Sequence, residues 1–525
     1  MTNTLAIIRS LIIYGLCLPL AIYLGYVVAN PMDRASYVVV VTVVALPLIP
    51  VLLKWHHLLL IASWNMSMVL FFVQGSPYLW MAMTAISLTL TVLQQILKRD
   101  VVNASVPSIA WSLLFLAFVI FLTAKLTGGI GIRSFGGNSY GGKRYIQLFC
   151  AIAGYFAITA YRIPKGQSVS YTALYFLGTI SLVVGSLAPW MPSGLHFLFA
   201  LFPVDNMAAL SRGLSTENMR LGGVTFASVG VLCFILARHG MKGLFSISEP
   251  WRFIPLQFRG GFGINQPWRF LAFLLIAWIG LSGGYRSVPI MFMMVFFCLF
   301  IFEGLHRTSL APILLVAGLL MTAISLPFIQ KMPLTVQRSL SFLPIEVSPL
   351  AKAAAEDSSE WRIRIWREVI PTIPQYLVIG KGYGMDARET EMNSAFSDFK
   401  SGDDGTDAIA ASDFHNGPLS LIIPLGIFGV IGFLWFLIAS TKTLINNYRY
   451  GDPENRLINT FILAYFLTKT LFFFTVFGSF QNDLAVFVGM VALSVSLNGG
   501  ACKPVIEQRI NPAHLPFRLP KAMRA

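Results

Sequence analysis

Long apolar runs, separated by short polar stretches, dominate the chain. Runs of about 17–25 apolar residues recur along nearly its whole length, and each is long enough to cross about 30 Å of hydrocarbon. The runs are continuous rather than alternating, and only helices or closed barrels satisfy their backbone groups in lipid. The pattern therefore predicts an all-α, polytopic integral membrane protein with about 12–14 transmembrane helices. The first run, at about residues 5–29, is too long for the apolar core of a signal peptide and is predicted to be a span.

One long polar loop, at residues 329–414, interrupts this pattern. It divides the chain into N-terminal transmembrane helices at 1–270, a central region at 271–441 that contains the loop, and C-terminal helices with a basic tail at 442–525. A chain of this length would otherwise predict about three soluble domains. We expect the loop to be the one part of the chain with soluble character.

Inside the loop, the stretch WRIRIWREV at 361–369 has the spacing of a short amphipathic helix. Ser358 or Ser359 is the expected N-cap, and Pro371 is expected to end the helix. The following GKGYG, at 380–384, predicts a glycine turn whose backbone packs closely near this helix.

Composition and charge agree with a membrane protein. Mean hydropathy is +0.70 and only 12% of residues are charged, against about 25% in soluble domains. The net charge of +15 does not indicate nucleic-acid binding, because Lys and Arg lie mostly in short loops between predicted spans. That distribution follows the positive-inside rule and predicts that both termini are cytoplasmic and that the long loop is external. Lys54 is assigned to a cytoplasmic loop between spans at 36–53 and 57–74.

Residue spacing argues against several kinds of site. The five cysteines show no CxxC pair and none lies in the long loop, so neither a disulfide framework nor a zinc site is expected. GGNSYGGKR, at 136–144, matches GxxxxGK but lacks the following Ser or Thr and follows no strand, so a flexible loop is favoured over nucleotide binding. The acidic run at 401–413 does not have EF-hand spacing, so a solvated loop is favoured over a calcium site.

Several cations are predicted to lie at the external membrane surface. Arg286 and Arg220 are at the external ends of spans, where a single arginine usually reaches the interface. Three more arginines lie in the predicted loop helix, where basic residues among lipid headgroups are the ordinary alternative: Arg362, Arg364 and Arg367. Lys469 lies within a predicted span at 457–477, so it is expected to pair with an anion or to line a wet cavity.

His415 stands two residues before a long apolar run that begins in GPLSLII. Alone, it is an ordinary interfacial histidine. Beside external arginines it gains a chemical role, since the unperturbed pKa of histidine, about 6.5, suits proton abstraction near neutral pH. Arginine stays charged and matches phosphate oxygens in a bidentate fork. Together these residues predict a site for a phosphate-bearing lipid headgroup.

Three segments, in order, resemble the O-antigen ligase and polymerase superfamily of bacterial inner membranes. They are LSGGYRS around Arg286, WRIRIWREVIPTIPQYLVIGKGYG with Arg362 four residues before Trp366, and FHNGPLSLIIPLGIFGVIGF with His415 followed by spaced glycines. The resemblance covers about residues 272–436. The chain has GGYR where many members have Ser-Arg-Gly, which keeps the cation but changes the backbone before it.

The resemblance implies an all-helical C-type glycosyltransferase fold and a metal-independent, inverting transfer with no cofactor. It implies an undecaprenyl-diphosphate-linked oligosaccharide as donor, and a glycan, lipid A–core or protein hydroxyl as acceptor, at the periplasmic face of the inner membrane. In this reading His415 is the general base, and Arg286 and Arg362 hold the diphosphate. Arg220, Arg364, Arg367 and Lys469 are supporting substrate-binding candidates.

Alternatives remain open within and outside this class. Ligase, polymerase and protein glycosyltransferase share the chemistry and differ only in acceptor, and an O-antigen ligase is favoured over a polymerase of O-antigen or exopolysaccharide. A transporter of lipid-linked glycans would instead show charges inside spans and helices broken at mid-bilayer. A membrane scaffold without enzymatic activity is the weakest alternative.

Overall fold

The structure is a computed structural model that describes most of the chain between residues 50 and 504. Outside the described residues are 1–49 and 505–525, the segments 98–103, 129–138, 206–219, 246–266 and 387–408, most of 309–325, and residues 74, 141, 410 and 411. The first predicted span, the basic tail, part of the glycine-rich loop and most of the acidic run lie outside the described residues.

Helices form nearly all of the regular structure in the described residues. Helix α1 occupies 50–63, and twelve further helices follow in chain order: α2 Leu79–Leu97, α3 Pro107–Leu126, α4 Gly142–Thr159, α5 Ser168–Leu177, α6 Gly222–Phe245, α7 Pro267–Gly280, α8 Ser287–Phe302, α9 Leu334–Leu340, α10 Pro349–Val369, α11 Gly417–Tyr450, α12 Arg456–Thr475 and α13 Phe480–Asn498. Short helical turns connect several of them. The one strand ladder is antiparallel and two residues long, between β1 Ser139–Tyr140 and β2 Met385–Asp386.

Membrane-spanning character is confirmed for the bundle. Seven helical segments of the described chain are long and apolar enough to cross a bilayer, and α7 and α8 are shorter apolar helices beside them. The protein is therefore an all-α, multi-pass membrane protein. The predicted break near Lys54 is wrong, because α1 runs without interruption from residue 50 to residue 63 and includes that lysine. The apolar stretch after α1 forms turns and one β-bridge between Val69 and Tyr78 instead of a span.

An aromatic cluster holds the last three helices together. Phe433 of α11 lies 5.4 Å from Phe473 of α12, and 5.2 and 5.6 Å from Phe480 and Phe487 of α13, measured between ring centroids. These rings are fully buried, and edge-to-face pairs of this kind add about 0.5–1.5 kcal/mol each beyond the area they bury. The cluster fixes the end of α12 and the first half of α13 against the middle of α11, and Phe480 N–H donates to Ser420 Oγ near the start of α11, where the predicted histidine lies.

Helix α11 is broken at Gly426, whose φ of 64° and ψ of −166° are not helical. Pro424 precedes the break and has no N–H to give to a helical hydrogen bond. Three backbone bonds from the chain before and within the GKGYG turn replace the lost ones: Lys381 N–H donates to Ile423 O, Gly382 N–H to Pro424 O, and Ile427 N–H to Leu377 O. Irregular backbone is tolerated at membrane depth when protein covers it in this way.

The turn needs its glycines for this contact. Gly380 has a φ of 85°, and a Cβ there would stand 2.2 Å from Pro424 O. The backbone of this turn therefore lies against the broken span, and its close packing near the arginine helix stays a prediction. The loop enters the bundle at this point instead of remaining above it.

The loop helix α10 is longer than the sequence predicted. It starts at Pro349, and its N-cap is Ser348, whose Oγ accepts from Ala351 N–H, so neither Ser358 nor Ser359 is the cap. Its predicted apolar face is buried: Ile365 and Val369 pack with Phe414, Leu419 and Ile423 in a second cluster. That cluster seats α10 on the first turns of α11. The last turn ends before a short 3₁₀ segment containing Pro371.

Candidate active site

The turn before α8 and the middle of α10 meet at Arg286. Its Nη2 donates to Ser359 Oγ at 3.0 Å, and Ser359 Oγ in turn donates to Ala355 O one turn earlier in α10. Arg362 lies three residues after Ser359, on the same face of the helix. The two arginines predicted as donor-binding residues are thus brought together, although they are distant in sequence.

Arg338 is a cation of this site that sequence reasoning missed. It lies on the short helix α9, which is fixed by Ser339 Oγ donating to Leu281 O. The stem of Arg338 passes beside Gly284, which has a φ of 67°, and a Cβ at Gly284 would stand 3.5 Å from Arg338 Cδ. That distance is an ordinary van der Waals contact, so glycine is favoured at 284 by the left-handed backbone of the turn. The tract QRSLSFLP matched no motif, and only the presence of another loop arginine could have drawn attention to it.

The arginines repel one another. Burial, together with the charges of Arg220, Arg286 and Arg362, lowers the pKa of Arg338 to about 10. Burial and the charge of Arg286 lower the pKa of Arg362, and burial lowers that of Arg286. Within the described part of the chain, no carboxylate forms an ion pair with Arg286, Arg338 or Arg362. A partly buried cluster of cations without counter-charge favours an anionic ligand.

Arg220 stands at the edge of the cluster. Its Nε donates to Gly283 O at 2.9 Å, and its guanidinium lies 4.6 Å from the centroid of the Tyr285 ring. The cation therefore stacks on the tyrosine that precedes Arg286. Its supporting role in substrate binding stays a prediction.

His415 is held in an unusual backbone conformation. Its φ is 51°, and Ser412, three residues earlier, has a φ of 52°. A non-glycine residue in this region costs on the order of 1–3 kcal/mol and often marks a functional site. The next residue, Asn416, caps α11 through its side chain, which accepts from Leu419 N–H at 3.1 Å. The cap and the left-handed turn together fix His415 at the entrance of the helix.

Aromatic rings orient His415 and connect it to the arginines. Trp361 lies edge-on to the imidazole at 5.1 Å between centroids, and Phe477 lies at 5.2 Å on another side. The guanidinium of Arg362 is 5.8 Å from the centroid of the same Phe477 ring. His415 and Arg362 therefore share one aromatic neighbour, which places the candidate base beside the cation cluster.

Asp413 faces one nitrogen of the imidazole. Nδ1 of His415 lies 3.4 Å from Asp413 O and 3.6 Å from Asp413 Oδ1. These contacts direct Nδ1 toward Asp413 and leave Nε2 for a substrate proton. Distances of this length often shorten once substrate is bound.

Buried polar atoms around this pair have no hydrogen-bond partner among the described residues. Arg144 interacts electrostatically with Asp413 and with Tyr383. The unsatisfied atoms near them are Arg144 Nη1, Tyr383 OH, Asp413 Oδ1 and Trp361 Nε1. Buried polar groups normally find partners, so their accumulation at one place is typical of a site that receives a ligand or water. Arg144 is thus a site neighbour that the sequence placed only in a glycine-rich loop.

Three predicted supporting residues are not brought into the cluster. Arg364 and Arg367 are exposed on α10, away from the face that carries Arg362. Lys469 forms a buried ion pair, with Nζ 2.7 Å from Asp483 Oδ1, and both side chains are only about one-tenth exposed. Asp483 Oδ2 also accepts from Ser479 N–H. The expectation of pairing therefore holds for Lys469, and its ammonium is satisfied within the protein instead of facing the arginines.

Comparison with known proteins agrees with this geometry. No curated protein matches the chain. Residues 270–434 match a family model described as O-antigen ligase, and this segment contains Arg286, Arg338, Arg362 and His415. The match supports a function of the O-antigen ligase or polymerase type. Over this segment the chain is thus similar to the O-antigen ligase family.

Proposed function

We propose that the protein transfers a glycan from an undecaprenyl-diphosphate-linked donor to an acceptor hydroxyl at the external, periplasmic face of the bacterial inner membrane. The observation that carries the proposal is the group of three arginines, without carboxylate partners in the described part of the chain, next to a histidine fixed at the entrance of a span. A lipid diphosphate supplies the missing negative charge at this depth. Favoured acceptors are lipid A–core for a ligase and a second glycan for a polymerase.

The arginines act on the leaving group. Arg286, Arg338 and Arg362 bind the diphosphate oxygens, with Arg220 as support at the edge of the cluster. As the anomeric C–O bond breaks, negative charge grows on the diphosphate, and fixed cations in a partly dry site stabilise that charge. These residues supply the charge that a divalent metal would otherwise supply, so the transfer is proposed to be metal-independent.

His415 acts on the acceptor. The acceptor hydroxyl oxygen attacks the anomeric carbon from the face opposite the diphosphate, and its proton passes to Nε2 of His415. The new glycosidic C–O bond forms as the old one breaks, the bonding pair leaves with the lipid diphosphate, and the anomeric configuration inverts. Asp413 stabilises the resulting imidazolium from the Nδ1 side.

Asp413 is accordingly a positioning residue. Asp413→Asn should lower turnover by about tenfold, because the amide lacks the negative charge that stabilises the imidazolium. A purely structural role would instead lower protein yield. The turnover of Asp413→Glu should resemble that of the wild type.

Two features of the fold are those of the transporter alternative: the broken helix α11 and the buried ion pair of Lys469 with Asp483. Transporters use such breaks to expose backbone groups to a substrate cavity. Here the carbonyls of Ile423 and Pro424 accept hydrogen bonds from the 380–384 turn, and the ion pair is closed on itself. The three arginines that have no carboxylate partner among the described residues lie instead just before α8, on α9 and within α10.

The test is a reconstituted transfer assay with EDTA present. Purified protein receives an undecaprenyl-diphosphate oligosaccharide together with lipid A–core, free glycan or a periplasmic protein fraction, and loss of the lipid-linked glycan is followed. Turnover that is lost in His415→Ala supports the proposal, and the acceptor consumed identifies the enzyme. Movement of intact donor across liposomes without turnover would overturn it in favour of a transporter.

A further inference from the structure

A cavity of about 600 Å³ lies beside the arginine cluster. At roughly 30 Å³ per water molecule, it holds about 20 waters, and its volume falls in the usual range for small-molecule sites, about 300–1,000 Å³. Its walls come from the end of α1 and from the starts of α4, α6 and α13, together with Tyr285. The elements that form it therefore meet at the same end of the bundle as His415.

The lining combines amide, carboxylate and aromatic groups. Gln147 of α4 and Asn482 of α13 face each other, with Gln147 Nε2 donating to Asn482 Oδ1 at 3.3 Å. Each amide keeps further donor or acceptor capacity for a ligand. Asp205 accepts from Ser186 Oγ and Gly223 N–H on one oxygen. No cationic side chain of the described chain lines the cavity.

Aromatic rings complete the wall. Tyr78, Trp80 and Phe226 line the cavity, and flat rings offer apolar surface to the C–H faces of a sugar while their neighbours bind hydroxyls. The mixture of rings, amides and one carboxylate is suited to an uncharged polyhydroxylated ligand. It is poorly suited to a phosphate, which would meet Asp205, or to a lipid chain, which would meet the amides.

Tyr285 connects the cavity with the cation cluster. It lines the cavity, its ring carries the guanidinium of Arg220, and it directly precedes Arg286. Its hydroxyl and the carboxylate of Asp205 both lie 2.8 Å from the point where a Cβ of Gly222 would stand. Glycine at 222 thus lets the tyrosine hydroxyl and the carboxylate approach the start of α6, because any larger residue would meet both groups.

We infer that this cavity is a saccharide subsite that receives the sugar attached to the diphosphate of the lipid-linked donor. The inference rests on the proposed function, since the arginines must hold the diphosphate for the sugar to extend past Tyr285. The arginines bind the diphosphate, and this subsite binds the sugar that they do not contact. Donor selectivity is then determined by Gln147, Asn482 and Asp205.

The experiment compares the binding of two probes to purified full-length protein in detergent. One probe is bare undecaprenyl diphosphate, and the other is the lipid-linked glycan pool extracted from cells that produce the protein. The double variant Gln147→Ala/Asn482→Ala should weaken binding of the glycan-bearing lipid by about tenfold through lost hydrogen bonds, with the affinity for bare lipid unchanged. Ala485→Phe fills the cavity from α13 without removing a polar group. It should likewise weaken binding of the glycan-bearing lipid and leave binding of the bare lipid unchanged.

Controls separate failure of this inference from failure of the proposed function. Asn446→Ala, an amide removed from a separate groove between α11 and α12, should bind both probes as the wild type does. Arg286→Ala should weaken both probes alike, and if it weakened neither, the proposed function would fail. If the cavity variants bound both lipids as the wild type does, or lost both equally while Arg286→Ala behaved as expected, the saccharide subsite would be wrong.

Discussion

Two groups of buried or half-buried cations in this protein differ in one respect, their counter-charge. Lys469 lies 2.7 Å from Asp483 and is nearly inaccessible. Arg286, Arg338 and Arg362 lie together without a carboxylate partner among the described residues, and the pKa of each is lowered, by burial first. The paired lysine stabilises the bundle, whereas the unpaired arginines carry an electrostatic cost that a bound anion would relieve. The comparison distinguishes a cation that is paired within the protein from cations that are proposed to bind an anionic ligand.

The largest effect is expected at the base. His415→Ala should lower turnover by on the order of 10²–10⁴-fold, or about 3–5 kcal/mol in activation free energy, because no other group accepts the acceptor proton. Donor binding and protein yield should change little. His415→Asn is the matched control for the backbone, since asparagine tolerates positive φ. Near-wild-type turnover of purified protein in either variant would exclude the role.

The paired lysine should affect stability instead of binding. Lys469→Met leaves Asp483 buried without its partner, which typically costs about 3–5 kcal/mol of unfolding free energy. Adding Asp483→Leu should recover much of that loss, because the lone buried charge is then removed. Thermal unfolding in detergent measures both. If Lys469→Met kept its stability but lost donor affinity, the lysine would belong with the arginines.

The arginine cluster should be sensitive to geometry as well as charge. Arg286→Lys keeps the charge but loses the planar fork that bonds Ser359 and phosphate together. We expect donor affinity to fall by about tenfold, in line with one lost charge-assisted hydrogen bond worth about 1.5–3 kcal/mol. Titration with undecaprenyl diphosphate measures the affinity, and Lys381→Arg, in the turn against α11, is a conservative exchange outside the cluster. An unchanged affinity would argue against the clamp.

A smaller effect is expected from pH. The pKa of Arg338 is lowered to about 10, so its charge is complete near neutral pH and is lost as pH rises through that value. The unfolded chain, with an unperturbed arginine, binds more protons above about pH 10, so unliganded protein gains stability from this group there. A bound anion favours the charged guanidinium, so in its presence the contribution of Arg338 to stability falls as pH rises, instead of increasing. Sulfate should therefore raise the melting temperature of the wild type more than that of Arg338→Ala, and this difference should vanish above about pH 10. A difference that persisted unchanged at high pH would contradict this assignment.

Part of the candidate site was predictable from the sequence. The apolar runs predicted that Arg286, Arg362 and His415 lie near one another, because span ends and loop order limit where they lie. Arg338 was missed because nothing local distinguishes it, and its position depends on the Gly284 turn and on the contact of α9 with Leu281. Arg364 was predicted only as a supporting residue, and its exposed position on α10 follows from the buried face that Ile365 and Val369 set.

The path of the backbone was less predictable than the site. The GKGYG turn was recognised as a turn, but its partner, the break in α11, depends on hydrogen bonds between residues more than forty positions apart. The cavity beside the arginine cluster was not predicted at all, since its walls come from α1, α4, α6 and α13 together. Long-range assembly of this kind leaves no periodic signal in a single sequence.

The most direct test of the central claim compares an arginine inside the cluster with an arginine that is exposed on α10. Binding of undecaprenyl diphosphate is measured for the wild type, for Arg338→Ala in the cluster, and for Arg364→Ala on the exposed face of α10. Arg338→Ala should weaken binding by about tenfold or more, while Arg364→Ala should remain within about twofold of the wild type. Equal losses in the two variants would show that general positive charge attracts the lipid, and unchanged binding in Arg338→Ala would contradict a diphosphate site in the arginine cluster.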